Sequence, residues 1–124
     1  ASGYHFIFAE QDGRVLGYSC YGPIPLTLQS YDLYWIAVRK ERHGAGIGRM
    51  LLERSEAAIS GLGGLRVYIE TSSKASYRDT RRFYERRGYR AEATLREFYS
   101  PGDHKVIYVK ALGKIDAEGE KERR

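Results

Sequence analysis

The segment His43-Gly44-Ala45-Gly46-Ile47-Gly48-Arg49 constrains this chain more than any other. Before it lies Tyr31–Val38 (YDLYWIAV), which reads as a strand; its nearly continuous apolar end predicts burial on both faces. After it, within the stretch ERHGAGIGRMLLERSEAAI from Glu41, the residues Ile47, Met50, Leu51 and Ala58 recur at helical spacing. Three alternate glycines let the backbone turn tightly and bring its N–H groups close to a ligand. The first helical turn adds unpaired N–H donors and the positive end of the helix dipole, so the junction suits phosphate oxygens. The competing reading is that the glycines only permit close helix–sheet packing. A Walker loop requires G-x-x-x-x-G-K-[ST], and its Lys and hydroxyl are missing. A dinucleotide fingerprint requires G-x-G-x-x-G, whereas the spacing here is G-x-G-x-G with Arg49 at the third glycine position.

Around this junction the chain alternates in character. Tyr4–Ala9 (YHFIFA) and Val15–Tyr21 read as strands joined through Asp12-Gly13, with a loop longer than two residues. Pro23 and Pro25 end the second run by removing backbone donors. Gly61, Gly63 and Gly64 stop the helix after the glycine loop, and Leu65, Val67 and Ile69 then alternate with polar partners as a strand does. A second helix is predicted from Ser76, where Ser76-Tyr77-Arg78-Asp79 has capping-box spacing, and Gly88 suits its C′ position. Arg90–Tyr99 and Lys105–Lys110 close the chain as strands around Ser-Pro-Gly-Asp. The order βββαβαββ implies an α+β fold, a mixed antiparallel and parallel sheet with helices packed on it.

Length and charge narrow the partners. With 124 residues, one domain over 1–112 is expected, followed by a polar tail over 113–124. Lys and Arg number 21 against 16 Asp and Glu, a net +5. Two windows carry the excess: residues 39–54 stand at +3 and residues 78–90 at +4. Charge concentrated in this way suits a compact anionic ligand as well as it suits nucleic acid. Cys20 is the single cysteine, which excludes an intramolecular disulfide and a cysteine-rich metal site. No apolar run is long enough for a membrane span and no signal segment is visible, so the expected compartment is the cytoplasm. The chain opens Ala-Ser-Gly rather than with Met, as a processed or cut chain would.

LYWIAVRKERHGAGIGRMLL resembles the acetyl-coenzyme A motif of the GCN5-related N-acetyltransferase (GNAT) superfamily, a strand followed by [Q/R]-x-x-G-x-[G/A] and a helix. TRRFYERRGY, residues 80–89, resembles the family's second signature, a helix carrying Tyr before a turn into a Gly-aromatic pair. In element order the resemblance covers residues 4–112, without the strand and two helices that usually precede the first hairpin and build one wall of the acceptor groove. It implies an N-acetyltransferase that moves an acetyl group from acetyl-CoA to a primary amine by direct attack in a ternary complex. The N–H groups of Ala45, Gly46, Ile47, Gly48 and Arg49, with His43 and Gly44 leading the loop, would hold the pyrophosphate. Ile36, Ala37 and Val38 would carry the pantetheine arm as an added strand, with an N–H near Ile36 polarising the thioester carbonyl. Tyr84 would protonate the departing thiolate, a phenol near pKa 10 facing a thiol near 8.5. His43 stands where the family usually has Gln or Arg, and Tyr77 and Thr80 where many members have Asn and Ala.

An amine attacks only when unprotonated, so a general base is expected. Glu70, at the end of the strand after the glycine helix, is the first choice; Asp32 and Glu97 come second. His5 and His104 read as a strand and a turn residue, and no metal site is expected. Cys20 has no base beside it in sequence and reads as a small buried hydrophobe. Coenzyme A accounts for the basic windows without nucleic acid, no membrane partner is expected, and a homodimer is compatible with the sequence. The other classes kept open are a non-catalytic acyl-CoA sensor and a nucleic-acid binder using the Arg-rich helix.

Overall fold

A computed structural model describes residues 3–113; most of the predicted tail therefore lies outside the described residues. The elements follow the predicted order: β1 (His5–Gln11), β2 (Arg14–Pro23), β3 (Ser30–Val38), α1 (Ile47–Gly61), β4 (Arg66–Ser72), α2 (Arg78–Arg86), β5 (Arg90–Ser100) and β6 (Asp103–Ala111). Short 3-10 turns over Lys40–Arg42 and Ala75–Tyr77 precede the two helices. The chain divides into two compact units, one running to Val67 and resuming at Ala111, the other Tyr68–Lys110. Among the described residues no helix is long and apolar enough to cross a membrane.

In the first unit β1, β2 and β3 form an antiparallel meander. Gln11 pairs with Arg14, so the first hairpin turns in two residues, not the longer loop the sequence implied. Asp12 and Gly13 both have positive φ, 52° and 80°, the primed turn whose twist matches that of paired strands. Between β2 and β3 the register slips, Cys20 facing Trp35 but Tyr21 facing Leu33, which leaves Tyr34 as a bulge. Helix α1 buries Leu51, Leu52, Ser55 and Ile59. Of the predicted stripe Leu51 is buried and Ile47 and Ala58 are half-buried, but Met50 is 39% exposed. A Cβ on Gly17 would lie 2.6 Å from the Ala37 carbonyl oxygen and 3.3 Å from a Leu51 methyl, so the helix rests on β2 where that strand lacks a side chain. Beside this contact the hydroxyls of Ser19 and Ser55 bond at 2.7 Å, both fully buried.

The predicted burial of β3 on both faces is not found. Leu33 is buried, but Tyr34 is 37% and Trp35 45% exposed. Trp35 belongs to an open aromatic face, with Tyr18 edge-on to it at 6.5 Å and Phe6 and Phe8 beyond. Aromatic side chains paired across strands supply their own apolar neighbours, so an apolar run need not be covered by a helix.

In the second unit the strand neighbours run β4-β6-β5. β5 pairs antiparallel with β6 and is exposed along its whole length. Ile69, Tyr84, Tyr89, Tyr108 and Val109 make its buried apolar set. Helix α2 starts at Arg78 with Tyr77 as N-cap and no side-chain cap bond, so the predicted start at Ser76 and its capping box are corrected. The 3-10 turn consumes Ser76 instead. The C-terminus is as expected: Gly88 has φ 95°, Tyr89 N–H donates to Tyr84 O at 3.1 Å and Gly88 N–H to Glu85 O at 3.2 Å, a Schellman closure.

Candidate active site

In the first unit the glycine loop hangs from the end of β3. Ile36, Ala37 and Val38 are half-buried, and Ala37 and Val38 line a groove of about 320 Å³ with Val15–Tyr18 opposite. After Arg39, whose N–H donates to Leu16 O at 2.8 Å, the backbone leaves the strand through the Lys40–Arg42 turn. His43 folds back and its Nε2 donates to Val38 O at 2.9 Å, which fixes the ring tautomer and ties the loop to the strand. Val38 therefore already has one carbonyl lone pair engaged.

Gly44 and Gly46 have φ of 87° and 86°, and a Cβ at either would meet nothing within 4 Å. Close packing consequently does not explain these two glycines; the left-handed backbone does. Gly46 caps α1 without a side-chain bond. The N–H of Ala45 makes a long turn bond of 3.3 Å to Arg42 O, while no backbone carbonyl among the described residues takes those of Gly46, Ile47, Gly48 or Arg49. Four successive uncommitted donors at a helix start are the kind of backbone that can hold phosphate oxygens. Ala45, the fifth donor that the resemblance implied, is the one with a backbone partner. Arg49 is paired with Glu53 at 3.2 Å, so the local positive charge is partly offset.

In the second unit Tyr84 is only 7% exposed, with Phe83 edge-on at 5.2 Å and Tyr89 at 5.6 Å. Burial pushes its phenol up to about 12. Its hydroxyl makes no hydrogen bond to a described residue and is not among the sealed polar atoms. Thr71 Oγ1, on β4, is sealed from solvent and without a partner among the described residues. A sealed hydroxyl left unpaired costs about 1–3 kcal/mol.

Glu70 lies next to Thr71 with its side chain half exposed, and Lys105 Nζ stands 3.1 Å from its Oε1. Burial raises the Tyr99 phenol, with Lys105 opposing and Glu70, Asp103 and Tyr77 adding. Of the other candidate bases, Asp32 is on β3, and Glu97 occupies a bulge of β5 with φ 56°. Asp103 is buried, accepting from the Ser72 hydroxyl and facing Lys74 Nζ at 3.7 Å. His104 lies in β6, not in the expected turn, and its Nδ1 accepts the Glu97 N–H at 2.8 Å. Lys105 carries no sequence signal of its own, because only the β4–β6 pairing brings it to Glu70. Arg81 was equally hidden; it donates to the carbonyls of Ser72 and Lys74 at 2.7 and 2.8 Å and so pins α2 to the end of β4.

A sequence model of the Acetyltransferase (GNAT) domain matches residues 2–91. An uncharacterised N-acetyltransferase of Methanocaldococcus jannaschii is 34% identical over 110 residues, covering 85% of this chain. The chain spans 65% of that relative's length. A GNAT-family crystal structure from Desulfovibrio desulfuricans superposes with TM-score 0.87 at 49% identity, over 89% of this chain and 70% of that one. An aminoglycoside 6′-N-acetyltransferase complexed with coenzyme A shares the fold, with TM-score 0.79 at 17% identity over 89% and 73% of the two chains. The α+β architecture with a mixed sheet read from the sequence is the one these folds have. On the match to its domain model and to these relatives, the chain belongs to the GNAT acetyltransferase family.

Proposed function

We propose that the chain is an acetyl-CoA-dependent N-acetyltransferase acting on a primary amine by direct attack. The observation that carries this reading is the open run of four uncommitted N–H groups from Gly46 to Arg49. When bound, acetyl-CoA would supply a thioester as the acyl source. Gly46, Ile47, Gly48 and Arg49 would hold its diphosphate through their N–H groups, and the N–H of Ile36 would polarise the carbonyl. Glu70 takes the proton that the amine sheds as the C–N bond forms. Tyr84 would serve the sulfur as the C–S bond breaks.

The raised phenol changes how Tyr84 does this. At about 12 it stays protonated throughout the working range. Complete transfer to a thiolate near 8.5 would then run uphill by about 5 kcal/mol. Tyr84 consequently serves as a hydrogen-bond donor to the developing thiolate, in place of the near-matched proton transfer expected from free side chains.

The test is release of free thiol from acetyl-CoA in the presence of a panel of amines. Turnover with one of them is the expected result, whereas tight coenzyme binding without thiol release would make the chain an acyl-CoA sensor. Tyr84→Phe should lower kcat by about 10- to 100-fold with little change in coenzyme affinity, as loss of a transition-state interaction does. Unchanged turnover would remove Tyr84 from the reaction.

A further inference from the structure

Lys105 is an unusual lysine for a strand near the surface, since its side chain is only 13% exposed. Its ammonium has two neighbours. Glu70 Oε1 lies at 3.1 Å, and the Phe98 ring covers Nζ at 4.0 Å from the centroid. The ring is there because β5 is deformed. Leu95 pairs with Lys105 and Ser100 with Asp103, so residues 96–99 of β5 stand opposite His104 alone. Within this excess Glu97 adopts φ 56°, a conformation that L-residues with a side chain seldom hold. The His104 ring over-determines it, accepting the Glu97 N–H on Nδ1 at 2.8 Å. A bulge of this kind re-aims a neighbouring side chain, here Phe98 over Lys105.

We infer that Lys105 is a positioning residue for Glu70, holding one carboxylate oxygen so that the other is presented to the acceptor amine. The inference rests on the proposed role of Glu70 as general base. A glutamate that is half exposed samples many rotamers, whereas proton abstraction requires one geometry, and misplacement by an ångström is costly. Phe98 screens the ammonium from water on its own side, so the Lys105–Glu70 contact is stronger than a fully solvated pair. A lysine fits this task because it engages a single oxygen as a point charge, where an arginine fork would engage both.

A double-mutant cycle on the full chain, with the best amine of the panel, decides it. Glu70→Gln should lower kcat by roughly 100-fold, and Lys105→Met by roughly tenfold with the KM for acetyl-CoA unchanged. In the Glu70→Gln background Lys105→Met should cost nothing further, because its effect acts through that carboxylate. Lys105→Arg should recover only part of the loss. Should Lys105→Met fail to fold, Phe98→Leu carries the same cycle, with a loss of roughly threefold that vanishes in Glu70→Gln. If Glu70→Gln lowers kcat while the Lys105 or Phe98 substitution is silent or additive, the inference falls and the base stands. Full kcat in Glu70→Gln, or no turnover with any amine, overturns both.

Discussion

Gly46→Ala is the substitution for which the structure gives the most definite expectation. At Gly46 φ is 86° and an added Cβ would meet nothing within 4 Å, so the cost is conformational, not steric. Holding an L-residue in the left-handed region costs about 1–2 kcal/mol. Loss of unfolded-state freedom on Gly→Ala returns about 0.4–1 kcal/mol. The net destabilisation is then about 1 kcal/mol, or a fall in Tm of about 4 °C for a domain of this size. Relief of that strain moves the cost from stability to binding. If the backbone relaxes to negative φ, the N–H groups of Gly46, Ile47, Gly48 and Arg49 no longer converge, and loss of one charge-assisted bond costs about 1.5–3 kcal/mol, at least tenfold in affinity. Asn tolerates this region better than Ala, so Gly46→Asn should keep more of both properties. Urea melts and calorimetric titration with coenzyme A are the assays. A loss of more than about 3 kcal/mol would mean that the space around Gly46 is not open. Coenzyme affinity intact in a Gly46→Ala chain whose melt is unmoved, the sign that the backbone has relaxed, would refute the cradle.

Two further outcomes follow from buried polar groups. Ser55→Ala should cost about 1–3 kcal/mol by stranding the Ser19 hydroxyl, and Ser19→Ala in the same chain should recover part of it, read by denaturant melts. The phenols of Tyr84 and Tyr108 are both raised to about 12, by burial first and, for Tyr108, by its bond to Glu85 as well. Their folded pKa values exceed the unfolded value of about 10, so the neutral phenol is favoured in the fold. That stabilisation is complete below pH 10 and is lost as the pH rises toward 12, by about 3 kcal/mol for Tyr84, whose shift is desolvation alone. Alkaline unfolding followed by circular dichroism should therefore move to higher pH in Tyr84→Phe. An unmoved midpoint would contradict the raised phenol.

The sites legible in the sequence were those made from local backbone. Glycines at alternate positions before an amphipathic run are enough to announce a helix N-terminus with free donors, since those donors belong to consecutive residues. Gly88 announced the close of α2 for the same reason, and Asp12-Gly13 marked the first turn although not its length. Element order came from periodicity, which reads burial one residue at a time. It misled at Tyr34 and Trp35, where aromatic neighbours on adjacent strands substitute for a covering layer. On α1 it found Leu51 but included the exposed Met50 and passed over Leu52, Ser55 and Ile59, whose burial depends on the strands beneath the helix.

Taken alone, the sequence determined the α+β order, the glycine-rich helix start with its free N–H donors and the signature that places Tyr84 near the end of its helix, for each depends on residues a few positions apart. The tertiary structure decided what the site residues meet. Lys105 reaches Glu70 from 35 positions away through strand pairing, and Phe98 covers it through a bulge that no local propensity announces. Tyr84 has an ordinary phenol in the sequence and a raised one in the fold, because desolvation belongs to the surroundings and not to the residue.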